Sequence, residues 1–423
     1  MTAIGYVGLG AMGGALAQHL TRTHKLVVMD RNEAAVATMV AKGAIRAANS
    51  TELAREADVI VLCLPRTSDV REVLFAPGGL AEALAPGKLV IDQTSGVPEQ
   101  TAAIAAELAQ KGVAMLDAPV SGGIPAAQAG RVTIIASGPD AGWVVAEPVL
   151  RAISGKVFRC SKRVGDAQAL KLVNNAIGTS FRMATLELVA LGRKAGLGLA
   201  PIVKKLNTGP AANFTTANML PALVEGRSTT NFALALMVKD LNGALALGAA
   251  TGSALPLTTG SRGMMQAGLE LLGKDAKLDE VIGLTGRLAG VELRGEGEAE
   301  PGLLAEIELA TIVGNVIAVS ECVAMGRRFG LPPAEMARIL NAGSAWCAVS
   351  DDILPALARS EMPRLDWSLG QAAVTLTRLS ALAAELCTPF LIPGIALNLV
   401  QEAIRHHGRN STLGNLTFGF ERA

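Results

Sequence analysis

The chain reads as an α/β domain with a doubly wound parallel sheet, followed by two tandem, homologous all-α domains. Three observations say so. Over the first 160 residues short apolar runs alternate with amphipathic helical patterns. A glycine-rich turn, Gly8-x-Gly10-x-x-Gly13, joins the first such run to the first helical pattern. The stretch LVALGRKAGL at 188–197 then returns 134 positions later as CVAMGRRFGL at 322–331. The expected domains are 1–163, 164–290 and 291–423.

The strand-like runs are 3–8, 25–30, 58–64, 88–92, 113–117, 132–137 and 156–159. Between them lie stretches such as GGALAQHLTRT and EQTAAIAAELAQKG, whose apolar residues recur at helical spacing. The turn YVGLGAMGG follows a strand and opens a helix, and Asp30 ends the next strand 20 residues beyond Gly10. That is the arrangement a dinucleotide needs, the Rossmann arrangement. Gly8 permits the tight turn, Gly10 lets a pyrophosphate approach the backbone, and Gly13 lets helix and strand pack closely. Leu9, Ala11 and Met12 complete the loop, whose free N–H groups face the phosphates. The Asp30 carboxylate can accept from both ribose hydroxyls and repels a 2′-phosphate, which favours NAD. Arg31 beside it could meet that phosphate, so NADP stays open.

Composition narrows the partners. A chain of 423 residues exceeds the usual single-domain range, and half of it is hydrophobic, enough for sizeable cores. Net charge is +1 with aromatics at 3%, which offers nucleic acid neither a basic stripe nor stacking platforms. No apolar run approaches ~20 uncharged residues, so no membrane span is expected. The opening MTAIGYVGLG enters a strand at once, without a signal-peptide pattern. Five scattered cysteines without a C-x-x-C pair read as reduced, buried thiols of a cytoplasmic protein, and four histidines show no metal spacing.

Four blocks then carry a resemblance: GYVGLGAMG at 5–13, DAPVSGG at 117–123, GDAQALKLVNN at 165–175 and MVKDL at 237–241. In this order they resemble the β-hydroxyacid dehydrogenases, the family of 3-hydroxyisobutyrate dehydrogenase and tartronate semialdehyde reductase. The resemblance covers residues 1 to roughly 290. It implies that Leu64 and Pro65 contact the cofactor after the fourth strand. It also implies that Ser95, where the family usually has Thr, sits near the nicotinamide, and that Lys239 reaches toward the cofactor. In VSGG, the Ser121 hydroxyl precedes two glycines, Gly122 and Gly123, whose unshielded N–H groups suit a substrate carboxylate.

Lys171, Asn174, Asn175 and Gly178 fall at i, i+3, i+4 and i+7 of one long helical pattern and so share a face. A lone Lys is usually just solvated, but two amides on its own stripe argue for chemistry. The family resemblance makes Lys171 the acid/base, because alcohol oxidation must shed the hydroxyl proton as hydride leaves carbon. An ammonium near a positive nicotinamide releases its proton more readily. Asn175 then holds the substrate hydroxyl or carboxylate, with Asn174 a second substrate contact and Asp240 a brace.

Shifted by 134 positions, Lys171 faces Ala305, Asn174 faces Glu308, Asn175 faces Leu309, and Lys239 falls near Val374. The second copy keeps the Gly, Leu and Pro positions and drops every residue assigned to chemistry. It reads as a degenerate repeat, spanning about 305–408 against 169–273, with 283–302 as a linker. It is expected to stand in for a partner subunit, giving a pseudo-dimeric monomer or still a homodimer. The expected activity is NAD(P)-dependent interconversion of a small 3-hydroxy acid and its semialdehyde. Two alternatives stand beside it. One is a 6-phosphogluconate-dehydrogenase-like oxidative decarboxylase, against which Asn174-Asn175 replaces the usual His-Asn pair. The other is a non-catalytic dinucleotide-binding scaffold or sensor.

Overall fold

The computed structural model describes residues 2–422. The chain forms two compact units, one up to Lys171 and one from Leu172 onward.

In the first unit the strands are β1 Ala3–Val7, β2 Lys25–Met29, β3 Ile45–Arg46, β4 Val59–Leu62, β5 Leu89–Asp92, β6 Ala114–Asp117, β7 Val120–Ser121, β8 Thr133–Ser137 and β9 Lys156–Ser161. The helices are α1 Ala11–Ala17, α2 Glu33–Val40, α3 Ser50–Glu56, α4 Thr67–Phe75, α5 Pro98–Ala109, α6 Gly123–Gln128 and α7 Asp140–Ile153. All seven expected strands are present, most of them trimmed at one end. Two short strands, β3 and β7, carried too few residues for a period-2 signal. The sheet runs β3-β2-β1-β4-β5-β6-β8-β7, with β9 on β8. Strands β1 to β6 are mutually parallel, but β8 pairs antiparallel with β6 and β7, so the expected all-parallel sheet is mixed at that end. The central strands β4 and β5 are buried along their whole length, as a sheet covered on both faces requires.

The second unit is helical. Its helices are α8 Asp166–Lys194 (which begins in the first unit), α9 Leu199–Asn207, α10 Phe214–Val224, α11 Leu234–Ala250, α12 Pro256–Leu272 and α13 Glu280–Ala289. Then come α14 Pro301–Phe329, α15 Pro333–Leu340, α16 Ser350–Ala358, α17 Leu369–Glu385, α18 Leu391–His407 and α19 Gly414–Arg422. The two sets follow each other in order and to within two residues in length. Two 29-residue helices head them, and 17-residue pairs stand in the same places. The bridge Ala233↔Lys277 is matched by Ser368↔Thr412. Left-handed backbone recurs at Gly196 and Gly330, and at Gly273 and Gly408. It recurs even where the second copy lacks glycine: Ser360 answers Gly226, and Cys387 answers Gly252.

Residues 172–423 form one compact unit. The first third of the expected linker is the end of helix α13, and residues 290–300 are tied to the end of α8 by Arg193, which donates to the carbonyls of Glu296 at 3.0 Å and Arg294 at 3.2 Å. The glycines that suggested a linker are accommodated because Val281, Leu284 and Ala289 bury one face of α13.

The copies exchange equivalent contacts. α8 and α14 run antiparallel, with Gly192 against Ile307, Ala184 against Gly314, and Val173 against Gly326. Phe214 N–H donates to Trp346 C=O at 2.9 Å, and Ala348 N–H donates to Ala212 C=O at 2.8 Å. Glu187 accepts from Ile392 N–H at 2.8 Å at the start of α18. Its counterpart Glu321 accepts from Leu257 N–H at 3.0 Å and Thr258 N–H at 2.8 Å at the start of α12. Each buried carboxyl thus answers orphan donors of the other copy's helix. α14 is apolar enough by length and composition to span a membrane, yet two-thirds of its apolar window (67%) is buried within the molecule, as in a core helix.

Burial pushes Glu187 and Glu321 up to about 7, against which the helix N–H donors pull down. A carboxyl whose folded pKa is raised stabilises the fold while protonated, and that contribution is lost as pH climbs from the ordinary carboxyl range through about 7. Replacing both by Gln should remove a pH-dependent loss on the order of 2 kcal/mol per carboxyl between about pH 5 and about pH 8. Denaturant unfolding at the two pH values checks this, and an unchanged slope in the double variant refutes it.

Candidate active site

Because β1, β2, β4 and β5 are parallel, the residues that follow them gather along one edge of the sheet: Gly8, Asp30, Leu64 and Ser95. The strand order reverses direction between β1 and β4, the switch point where open α/β sheets take ligands. Gly8 has φ +97, and a Cβ on it would stand 2.3 Å from the Cys63 carbonyl oxygen and 3.0 Å from Leu64. A Cβ on Gly13 would stand 1.9 Å from the Gly8 carbonyl oxygen, so the helix can lie this close only without a side chain. Gly10 is the opposite case: its backbone is exposed, and a Cβ there would meet nothing within 4 Å. The open side at Gly10 and the closed sides at Gly8 and Gly13 fit a pyrophosphate laid against the turn.

Asp30 is half-buried and oriented by two backbone donors, Leu9 N–H at 2.5 Å and Asn32 N–H at 2.7 Å. Leu9 therefore serves Asp30 through its N–H and the core through its buried side chain. Ala11 is exposed and Met12 half-buried at the start of α1. Arg31 turns away to pair with Glu72 at 2.8 Å. Leu64 N–H donates to Thr94 Oγ1 at 3.1 Å, which joins the β4 loop to the loop carrying Ser95; Pro65 beside it is exposed.

Ser121 ends β7, and the next two residues both take positive φ, +133 at Gly122 and +74 at Gly123. Two such residues in succession are accessible to glycine and turn the chain sharply into α6. Asp117, at the end of β6, accepts from Ser137 Oγ at 2.5 Å, Gly165 N–H at 2.9 Å and Gln168 N–H at 2.9 Å. Asp92, at the end of β5, accepts from Thr94 N–H at 2.9 Å and from Gln168 Nε2 at 3.2 Å. Burial pushes Asp92 up to about 7 and Asp117 up to about 6, with these donors pulling the other way.

Lys171 is buried on α8, 6% exposed, with Asn174 and Asn175 equally enclosed one turn on. Asn175 Nδ2 donates to Asp240 Oδ2 at 2.7 Å, and Lys239 pairs with Asp240 Oδ1 at 3.2 Å. Asp240 thus orients an amide of the polar stripe, beyond the brace read from sequence. Asn174 is differently engaged: its Nδ2 donates to Ser344 Oγ at 2.7 Å, and its Oδ1 accepts from Ala345 N–H at 3.2 Å. Both ends of that amide are directed to the second copy. At the counterpart position Glu308 pairs with Lys205 at 2.7 Å, so the degenerate copy holds an ion pair where the first holds amides. Sequence reasoning missed Gln168 and Asp92, although Gln168 lies inside a quoted block. Ser344 had a fainter signal, the LNAG that repeats LNTG just before it. Cys387 is exposed, unlike the expected buried thiols, because it occupies the left-handed position after α17.

A family profile described as the NAD binding domain of 6-phosphogluconate dehydrogenase matches residues 3–161. A second, described as NAD-binding of NADP-dependent 3-hydroxyisobutyrate dehydrogenase, matches residues 165–285 and 309–413, together more than half of the chain. The chain belongs to the β-hydroxyacid dehydrogenase family. This β-hydroxyacid dehydrogenase is 33% identical to the L-threonate dehydrogenase of Cupriavidus necator over 227 residues, 53% of the chain and 76% of that relative. It is 34% identical to the 3-hydroxyisobutyrate dehydrogenase of Pseudomonas aeruginosa over 215 residues, 51% of the chain and 72% of that relative. Among solved structures it is similar to the Mycobacterium tuberculosis 3-hydroxyisobutyrate dehydrogenase described with L-serine. That likeness has 28% identity and a TM-score of 0.62, and covers 67% of the chain and 99% of that structure. The β-hydroxyacid dehydrogenase is an NAD(P)-dependent oxidoreductase.

Proposed function

We propose that this dehydrogenase interconverts a small 3-hydroxy carboxylic acid and its semialdehyde, with NAD preferred over NADP and Lys171 as the general acid/base. The observation that carries the reading is the stripe on α8, where a buried Lys171 is followed one turn later by an amide, Asn175, locked by Asp240. A buried cation with an oriented amide neighbour suits proton transfer at a substrate hydroxyl better than it suits a solvated surface. When bound, the nicotinamide supplies a hydride acceptor. Lys171 takes the hydroxyl proton, Asn175 holds the hydroxyl or carboxylate in line, and Ser121 with Gly122 and Gly123 receives the carboxylate. Gly8 to Gly13 and Asp30 hold the dinucleotide, with Leu64, Pro65 and Ser95 along its nicotinamide half. Lys239 acts beside it through Asp240. Asn174 we assign to holding the second copy, since both ends of its amide are already taken.

The second copy acts as a built-in partner, and the chain holds one dinucleotide site, as a pseudo-dimer. The free thiols favour a cytoplasmic protein. A spectrophotometric screen of 3-hydroxyisobutyrate, L-threonate, L-serine and their homologues against NAD and NADP tests the reaction. Binding of NAD without turnover of any of them refutes it in favour of a sensor.

The cofactor preference has its own test. Asp30 presents a carboxylate where a 2′-phosphate would stand, and Arg31 is paired away with Glu72. Asp30→Ser should lower the ratio of kcat/KM for NAD over NADP by about tenfold, the worth of one like-charge repulsion. An unchanged ratio overturns this assignment.

A further inference from the structure

Gln168 sits one turn before Lys171 on α8 and is buried, 1% exposed. Its side-chain Nε2 donates to Asp92 Oδ2 at 3.2 Å and to the Thr94 carbonyl at 3.1 Å. Its Oε1 accepts from Thr101 Oγ1 on α5 at 2.8 Å. The same amide lies about as close as packing permits to Gly96, since a Cβ there would stand 2.9 and 3.0 Å from its two polar atoms. Its backbone N–H donates to Asp117 Oδ2 at 2.9 Å. One residue thus fastens the first turn of α8 to two loops at once. The first is 92–97, which carries Ser95. The second starts at Asp117 and leads to Ser121, Gly122 and Gly123.

Resting on the reading of Lys171 as the acid/base, we propose that Gln168 is the positioning residue that fixes Lys171 relative to the Ser95 and Ser121 loops. Every polar atom of its side chain is satisfied, so the amide has one orientation, with the donor end toward Asp92 and the acceptor end toward Thr101. Helix geometry carries that fix to Lys171, because residues three apart lie one above the other on the same face. A misplacement near 1 Å at a reacting group costs on the order of a hundredfold in rate, which sets the scale of the effect.

The charge environment supplies a distinguishing readout. The titratable groups facing this residue are Asp92 on β5 and Asp117 on β6, with Cys63 after β4 sensing Asp92 and the Arg163–Asp166 pair at the start of α8. Thr101 and Thr67 face it without charge. A glutamate at 168 would add a third carboxylate to this buried group while ionised. As a neutral acid it could donate its proton to Asp92, as the amide does. Lowering pH should therefore repair Gln168→Glu, whereas a lysine base makes the wild type slower at low pH.

The test uses the full chain, NAD, and whichever of 3-hydroxyisobutyrate, L-threonate and L-serine the wild type oxidises best. Gln168→Met should lower kcat about a hundredfold while the Kd for NAD, read by fluorescence titration, stays within about twofold. The kcat of Gln168→Glu relative to wild type should rise as pH falls from about 8 to about 6. A Met variant with wild-type kcat, or a Glu/wild-type ratio flat with pH, overturns the proposal. If Gln168→Met fails to fold, the Glu ratio decides alone. Lys171→Ala run beside them separates the two readings. A dead Lys variant beside a fully active Met variant sinks the positioning role only, and an active Lys variant sinks the acid/base reading beneath it.

Discussion

Lys171→Ala is expected to cut kcat about a thousandfold while leaving the Kd for NAD within about twofold. General acid/base catalysis contributes roughly 10²–10⁴ in rate, and the alanine variant leaves no other side chain of the α8 stripe able to carry the proton, since Asn174 and Asn175 are amides. Binding should persist because the residues assigned to the dinucleotide, Gly8 to Gly13 and Asp30, are held by their own strand ends and turns. Asp30 is oriented by Leu9 and Asn32 N–H groups, neither of which involves α8. The measurement is steady-state turnover with a parallel NAD titration and a thermal melt. Retained turnover would mean that the proton leaves by another route.

The second large effect is structural. A chain ended at Gly290 should not fold into a soluble, active enzyme. Such a truncation removes α14, whose Ile307, Ile312, Val313, Val316, Ile317, Val319 and Val323 are all at most 2% exposed. It also uncovers the face of α8 that packs there, including Ala184 and Gly192, and it deprives Glu187 of its donor at Ile392. At ~1.5–3 kcal/mol for each fully buried aliphatic side chain, the loss exceeds the ~5–15 kcal/mol by which a domain is usually stable. Solubility, circular dichroism and turnover of the truncated chain check this. A soluble remnant with wild-type turnover would show that the second copy is an accessory, not an internal partner.

Much of the fold was legible because its signals are local. Each long strand announces itself by a short apolar run, and Gly8, Gly10 and Gly13 mark a turn whose geometry no other residue tolerates at two of the three positions. The helical repeat was legible for a different reason: glycines such as Gly196 and Gly330 punctuate both copies at the same spacing. The short strand β7 was not legible, since two residues cannot show a period, and the end of α13 was taken for linker because Gly283 and Gly286 lead into the Gly-rich, charged stretch that follows it. At the site, Lys171 and Asn175 stood out by helical spacing. The partners of Asn174, Ser344 and Ala345, were not legible because they lie about 170 residues away, and spacing along one helix says nothing about what packs on it.

By itself, then, the order of residues determined a nucleotide-binding α/β half and a helical half whose pattern repeats, because periodicity and turn glycines are properties of short stretches. Only tertiary structure decided that the two repeats form a single unit and exchange carboxylate caps, that Lys171 is buried, and that Gln168 ties its helix to two loops. Those contacts join residues tens to hundreds of positions apart, and their partners are set by how the helices and strands pack.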